Sequence, residues 1–168
     1  MKPTIKIGNH TFARSDQIYV TGIGSLEIGK HCAIGLNFHV ATSDHLTNTA
    51  NMNDVTQKMI GGRSILHVKG PVKIGNACWI GHNVTIVSGV TIGDGVVIGA
   101  GSVVCKNLDD FGIYAGNPAR FIRYRFCQRV REDLKELKWW DWSLEEMIEN
   151  KAFFDLDLSA VYNLGRWI

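Results

Sequence analysis

Residues 68–104 read VKGPVKIGNACWIGHNVTIVSGVTIGDGVVIGAGSVV. Val68, Ile74, Ile80, Ile86, Ile92, Ile98 and Val104 recur at every sixth position without a gap. Glycine follows directly at Gly75, Gly81, Gly93 and Gly99, and a small or β-branched residue stands two places ahead at Val72, Cys78, Val84, Val90, Val96 and Ser102. An earlier block keeps the same rhythm at Ile28, Ile34 and Val40, with Gly29 and Gly35. A helix cannot use this period, because 3.6 residues per turn would scatter the aliphatics around the cylinder. An antiparallel meander needs alternation along each strand and turn signals at wider spacing. A six-residue unit fits a short strand plus a tight corner, with the aliphatic inward and glycine tolerating the corner's backbone angles. Three units close one triangular coil, and stacked coils bury a continuous apolar column. The expectation is a mainly β chain coiled as a parallel β-helix. Parallel crossovers are ordinarily right-handed, so the repeat alone does not set the hand.

Outward from the repeat, residues 4–22 carry short apolar runs around a Gly8-Asn9 turn signal and are expected to make an irregular first coil. Residues 23–40 read as regular coil. The rhythm then stops over residues 41–66, a polar stretch rich in Asn and Thr, and resumes by Val68 until about Leu108. A long interruption inside a compact repeat is uncommon and is usually functional or disordered. The coil fixes its base, which favours function. Past the coil, Ala115-Gly116-Asn117-Pro118-Ala119-Arg120 reads as a turn. A helix follows, with Phe126, Val130, Leu134 and Leu137 on one face. Trp139-Trp140-Asp141-Trp142 interrupts it, and Ser143 with Glu146 forms a capping-box pattern for a second short helix. The organisation expected is a coil over 1–123, with a protruding loop at 41–66, and a helical extension over 124–168.

The chain has 168 residues, 45% hydrophobic and 20% charged, with a formal charge of +2. That composition fits an ordinary globular domain and does not point to nucleic acid or a membrane surface. No stretch approaches the ~18 apolar residues of a membrane span. No apolar run follows Met1-Lys2-Pro3-Thr4-Ile5-Lys6, so no secretory signal is expected. Cys32, Cys78, Cys105 and Cys127 include no Cys-x-x-Cys pair, which suggests free thiols in a reducing cytoplasm.

The stretch from Ile74 to Arg125 resembles the hexapeptide-repeat acetyltransferases, and within them the xenobiotic acetyltransferase branch. The Trp-Trp-Asp-Trp segment and the opening Ile7-Gly8-Asn9-His10-Thr11-Phe12 strengthen that likeness, while Trp79-Ile80-Gly81 and Gly116-Asn117-Pro118-Ala119 narrow it to users of acetyl-CoA. The resemblance implies a left-handed coil and a homotrimer with acetyl-CoA in grooves between neighbours. It also implies direct transfer to a small-molecule or glycan acceptor, without a covalent enzyme intermediate. A closed threefold ring is physically reasonable for a coil face.

Such a transfer needs a base for the acceptor, a backbone N–H for the oxyanion and alignment of two substrates. Histidine suits the first task near neutral pH. Six histidines compete: His10, His31, His39, His45, His67 and His82. The resemblance places the catalytic histidine in the interrupting loop, at His45. His39, which ends the last regular unit before the loop, is the second candidate. Asp44 is adjacent in sequence and points elsewhere, so the group that orients His45 is open. For the cofactor, the resemblance carries Trp79 to the pantetheine arm, His82 to the groove wall, Ala100 and Cys105 to backbone hydrogen bonds with the pantetheine, and Lys106, Arg120 and Arg123 to the nucleotide phosphates, with Arg125 nearby. Each has a plainer reading, as interface packing for Trp79 and solvated basic surface for the three cations.

Some left-handed β-helices are zinc hydratases with a histidine pair about five apart. His82 would need a partner at position 87, which is Val87, so no metal is expected. Cys32 and Cys78 fall on inward repeat positions and read as core, not as nucleophiles. Drug-acetylating relatives follow the histidine with an Asp-Trp step and an apolar segment. Here Leu46-Thr47-Asn48-Thr49-Ala50-Asn51-Met52-Asn53 stands instead. Asn and Thr supply donors and acceptors that suit a sugar hydroxyl or polysaccharide acceptor. An antibiotic acceptor is the alternative, and a non-catalytic trimeric scaffold is the third reading.

Overall fold

The computed structural model describes residues 2–165. Most of the chain is a three-faced parallel coil of short strands. The first face stacks β1 (Thr4–Ile7), β3 (Ser25–Ile28), β8 (Val72–Ile74) and β11 (Thr91–Ile92). The third face stacks β2 (Ile18–Thr21), β5 (Phe38–Ala41), β10 (Thr85–Ile86) and β13 (Val103–Val104). The second face holds β4 (Ala33–Ile34), β9 (Trp79–Ile80), β12 (Val97–Ile98) and β14 (Gly112–Ala115), closed by the antiparallel β15 (Arg120–Tyr124). All other neighbours in these three faces are parallel, and register matches repeat with repeat: Ile28 to Ile74 to Ile92, Ile34 to Ile80 to Ile98, and Val40 to Ile86 to Val104.

The core follows directly from that register. Those aliphatics, with Cys32, Cys78, Val84, Val90 and Val96, form one buried column. Such a column stabilises only while each layer is filled, since truncation leaves a cavity that neighbouring coils cannot close. Ile86→Ala is expected to cost about 2–5 kcal/mol, read as a fall in the denaturation midpoint at unchanged slope. The first coil is more regular than its sequence suggests, for β1 and β2 both pair in register and Phe12 bridges to Ala33.

The corners are as repetitive as the faces. Between the first and second faces, His10, His31, Ala77, Gly95 and Phe111 all take positive φ, between 54° and 64°. Each of the last four donates its backbone N–H to the corner beneath. Between the second and third faces, glycine is required by close approach: a Cβ on Gly35 would lie 2.7 Å from the His82 nitrogen, and one on Gly81 would lie 2.6 Å from the Ala100 nitrogen. Spacing between coils leaves no room there for a side chain.

The interruption replaces the corner from third to first face. The separation of stacked residues is 18 for Asn76 and Asp94 but 46 for Lys30 and Asn76. The inserted segment is clamped at its base. Buried Thr42 donates to the Thr21 carbonyl, and its own carbonyl accepts from the Ser88 hydroxyl. Above the base, β6 (Asp44–His45) pairs antiparallel with β7 (Leu66–His67), and a short helix, α1 (Asp54–Met59), crosses the tip. The segment is an ordered protrusion with its own buried apolar residue, Ile65. Val68, expected on the inward column, is 37% exposed because it still belongs to this protrusion; the coil resumes at Val72.

After β15, the helix α2 (Gln128–Leu137), the Trp-rich turn, α3 (Leu144–Glu149) and α4 (Lys151–Phe154) pack against the first corner through Phe111, Val130, Leu134, Trp140, Phe153 and Leu164. The Ser143–Glu146 capping box forms in both directions. The tail over residues 153–165 orders against α2, where the Leu164 N–H donates to Asp133 at 2.7 Å. The end of the expected 124–168 extension, residues 166–168, lies outside the described residues. Among the described residues, no helix is long and apolar enough to cross a membrane.

Candidate active site

His45 stands on the stem of the protrusion, exposed, with its ring Nδ1 at 2.6 Å from the Met52 carbonyl oxygen. A carbonyl only accepts, so Nδ1 carries the proton and Nε2 presents its lone pair outward. That is the tautomer a general base needs. Asp44 points the other way, pairing with Lys69 at 2.7 Å, as period-two alternation requires. The orienting group is thus a backbone carbonyl seven residues along, which no side-chain pattern announces.

The Asn-rich tip holds that carbonyl in place. The Asn51 amide donates to the Asn53 carbonyl and to Gln57. Its side-chain oxygen accepts from the Asn53 N–H. Asn53 then caps α1, accepting from Val55 and Thr56. Thr49 donates to the Asn51 carbonyl. Opposite, Asp54 ties the helix to the returning strand: it pairs with Lys58 and accepts from the Ser64 hydroxyl and the Ile65 N–H at 2.7 and 2.9 Å. Lys58 first, then the other two donors, push its carboxyl down from 3.8 to about 2. A depressed folded value means that the tie is fully present above pH 3.8 and is lost as pH falls toward 2. The Ile65 amide resonance is expected to titrate with this carboxyl at a midpoint near 2, and to lose that titration in Asp54→Asn.

The second candidate region lies on the second face. Phe12, Ala33, Trp79, Val97, Ile113 and Arg123 occupy one row across six neighbouring chain segments. At ~4.8 Å per strand, Trp79 and Arg123 stand roughly 14 Å apart. Trp79 and Phe12 are 60% and 70% exposed, a large apolar surface to leave in water. They border a groove of about 330 Å³ that continues over Gly35, Gly81, His82 and Ala100. The His82 Nδ1 accepts from the Leu36 N–H at 2.8 Å, so its proton sits on Nε2. His82 is therefore built as a donor toward the groove, not as a base. Sequence reading missed Phe12 and Leu36 here. Phe12 precedes the regular repeat, and Leu36 acts only through its backbone.

The expected cofactor residues divide between corners. Trp79 and Arg123 share the row, while His82, Ala100 and Arg120 follow the corner between second and third faces. Cys105 and Lys106 follow β13 at the corner that, two coils away, emits the His45 protrusion. Arg125, grouped with Lys106, Arg120 and Arg123 by sequence, is half-buried and donates to the Gly95 carbonyl at 2.9 Å. It lies over the Phe126 ring, away from the groove. His39, the alternative base, stacks on Tyr19 at 4.8 Å on the third face. Cys32 and Cys78 are buried in the column; the neighbouring Cys32 sulfur and burial hold the Cys78 thiol well above its ordinary pKa. Among the described residues, no cluster of His, Cys, Asp and Glu could hold a metal ion.

Residues 71–106 match the family model for the bacterial transferase hexapeptide, six repeats. A probable macrolide acetyltransferase of Lysinibacillus sphaericus is 41% identical over 138 residues, 74% of each chain. The chain belongs to the hexapeptide-repeat acetyltransferases. It is also 40% identical to a chloramphenicol acetyltransferase of Escherichia coli over 99 residues, which is 58% of this acetyltransferase but 46% of that one. Among solved structures, a hexapeptide-repeat acetyltransferase of Vibrio cholerae complexed with acetyl-CoA superposes with a TM-score of 0.59 at 31% identity. That match covers 72% of this chain and 60% of the other. A maltose O-acetyltransferase of Clostridium difficile gives 0.55 at 32%, covering 71% and 58%.

Proposed function

We propose that this acetyltransferase moves the acetyl group of acetyl-CoA to an acceptor hydroxyl, with His45 as general base, at sites shared between copies of a homotrimer. The observation that carries this reading is the separation of base and groove. The His45 protrusion leaves one corner of the coil, and the Trp79–His82 groove lies on the second face and the corner beyond it. One chain offers two half-sites, and a closed ring of copies brings the protrusion of one against the groove of the next. Family membership carries the left-handed turn of the coil with it.

In this site the pantetheine arm follows the row from Arg123 to Trp79. Ala100 and Cys105 offer backbone groups to the arm, Lys106, Arg120 and Arg123 meet the phosphates, and His82 Nε2–H donates to an oxygen of the bound donor. The acceptor hydroxyl gives its proton to His45 Nε2 as its oxygen attacks the thioester carbonyl. The tetrahedral intermediate then collapses with cleavage of its C–S bond, and the departing thiolate takes the proton from the His45 imidazolium, which restores the base. The Met52 carbonyl stabilises the imidazolium formed on the way. Use of acetyl-CoA fits a cytoplasmic setting.

The acceptor remains a choice between two classes. A sugar hydroxyl fits a polar loop, and one solved relative is a maltose O-acetyltransferase. Yet Asn51, Asn53 and Thr49 are already bonded within the protrusion, while Met52, Val55, Met59 and Ile60 are exposed on it. That surface favours the second reading, an antibiotic-type acceptor with apolar area. Thiol release from acetyl-CoA against sugars, polysaccharide fragments, macrolides and chloramphenicol separates the two. Release with a macrolide or chloramphenicol alone supports the second reading, and release with glycans alone returns the first. No acetyl-CoA binding at all would leave a scaffold.

A further inference from the structure

The helical extension does not seal completely against the first corner of the coil. A cavity of about 390 Å³ remains between them, at a different corner of the coil from the one that emits the His45 protrusion. Its walls are Phe111, Phe126, Trp139 and Phe153, with Leu134 and Leu158. Such a volume, with aromatic walls and a few polar groups, falls in the range of small-molecule sites.

One charge projects into this aromatic space. Arg125 is anchored by a hydrogen bond to the Gly95 carbonyl at 2.9 Å and by the Phe126 ring beneath it at 4.7 Å. It makes no ion pair among the described residues. Burial lowers its pKa, and no carboxylate offsets that cost. A half-buried guanidinium without a counterion carries a desolvation penalty that an anionic ligand would relieve. Two further titratable groups line the cavity. His31 is held neutral first by burial, then by His10 and Lys30. Asp157 is exposed at the mouth, and its carboxylate is kept ionised by the Ser159 hydroxyl and N–H. The rim is therefore negative and the interior positive. A ligand with one carboxylate on an apolar body satisfies both, while a second negative charge would face Asp157.

We propose that this cavity is a second ligand site, distinct from the acetyl-transfer groove, for a small monocarboxylate with a flat apolar body. The carboxylate pairs with Arg125 in the bidentate geometry that guanidinium allows, and the body stacks between Trp139 and Phe111. Because coil and extension each supply one wall, occupancy joins the two and raises the stability of the folded protein.

The test uses the intact protein and three probes: 2-naphthoate, its neutral analogue 2-naphthalenemethanol, and naphthalene-2,6-dicarboxylate. Calorimetric binding is measured with and without saturating acetyl-CoA. The expected result is saturable binding of 2-naphthoate, at least ~10-fold tighter than either other probe and unchanged by acetyl-CoA. Arg125→Met should erase the preference of acid over alcohol. Leu158→Trp fills the cavity while leaving Arg125 in place, and should abolish binding of all three. Equal affinity for acid and alcohol, displacement by acetyl-CoA, binding that survives Leu158→Trp, or no saturable binding would each overturn the proposal. Should Arg125→Met fail to fold, the alcohol comparison and Leu158→Trp still decide it. None of these readouts depends on acetyl transfer.

Discussion

His45→Ala is expected to lower acetyl transfer by roughly 10²–10⁴-fold, the usual contribution of a positioned general base, while acetyl-CoA binding is unchanged. The reason is spatial as well as chemical. His45 lies on the protrusion, clear of the groove that holds Trp79 and Ala100, so its loss removes a proton acceptor and leaves the donor contacts intact. Full activity in His45→Ala would transfer the role to another group, with His39 next in line. Equal loss of rate and of acetyl-CoA affinity would mean that the histidine shapes the groove instead. Asp44→Asn is the control beside it. It breaks the ion pair with Lys69 on the opposite side of the same strand and should leave the transfer rate near the parent's.

Mixing two inactive variants is expected to restore activity. Ala100→Trp plugs the groove, and His45→Ala removes the base, so each alone is silent. If base and groove came from one chain, a mixed preparation would stay silent. With sites shared around a closed ring, one site in roughly four would pair an intact protrusion with an intact groove after random exchange at equal amounts. Rate measurement after reversible dissociation and reassembly of the mixture reads this directly. No recovery, with trimers re-formed, would return both half-sites to one chain and require the protrusion to fold back across the third face.

The structure also reassigns the polarity of the interrupting segment. Its Asn and Thr residues looked like a lining for a hydroxylated ligand. Thr49, Asn51 and Asn53 instead satisfy a short insertion that has few hydrophobic residues to bury. Asn51 and Asn53 stand in for the backbone partners that turns and helix ends lack, and the product of their network is a fixed Met52 carbonyl beside His45. Apolar residues of the same segment, Met59 and Ile60 among them, are left outside.

The repeat is legible in the residues alone, Val68 excepted. The six-residue period assigns Ile74, Ile80 and Ile86 to three faces and stacks each on its counterpart, because side-chain direction in short parallel strands follows position alone. The same local logic held for the Phe126–Leu137 helical face and the Ser143–Glu146 cap, where partners lie three or four residues apart. Groups that carry no sequence pattern are placed by long-range packing instead. Two histidine tautomers are set by backbone atoms, those of Met52 and Leu36, which any residue type would supply. Arg125 is grouped with Arg120 and Arg123 in the chain yet faces another corner, because the chain leaves β15 directly after Tyr124 and turns beneath Phe111. Most of all, the division of base and groove between corners follows from how far the coil winds between residue 45 and residue 79, a long-range consequence of stacking that no local spacing contains.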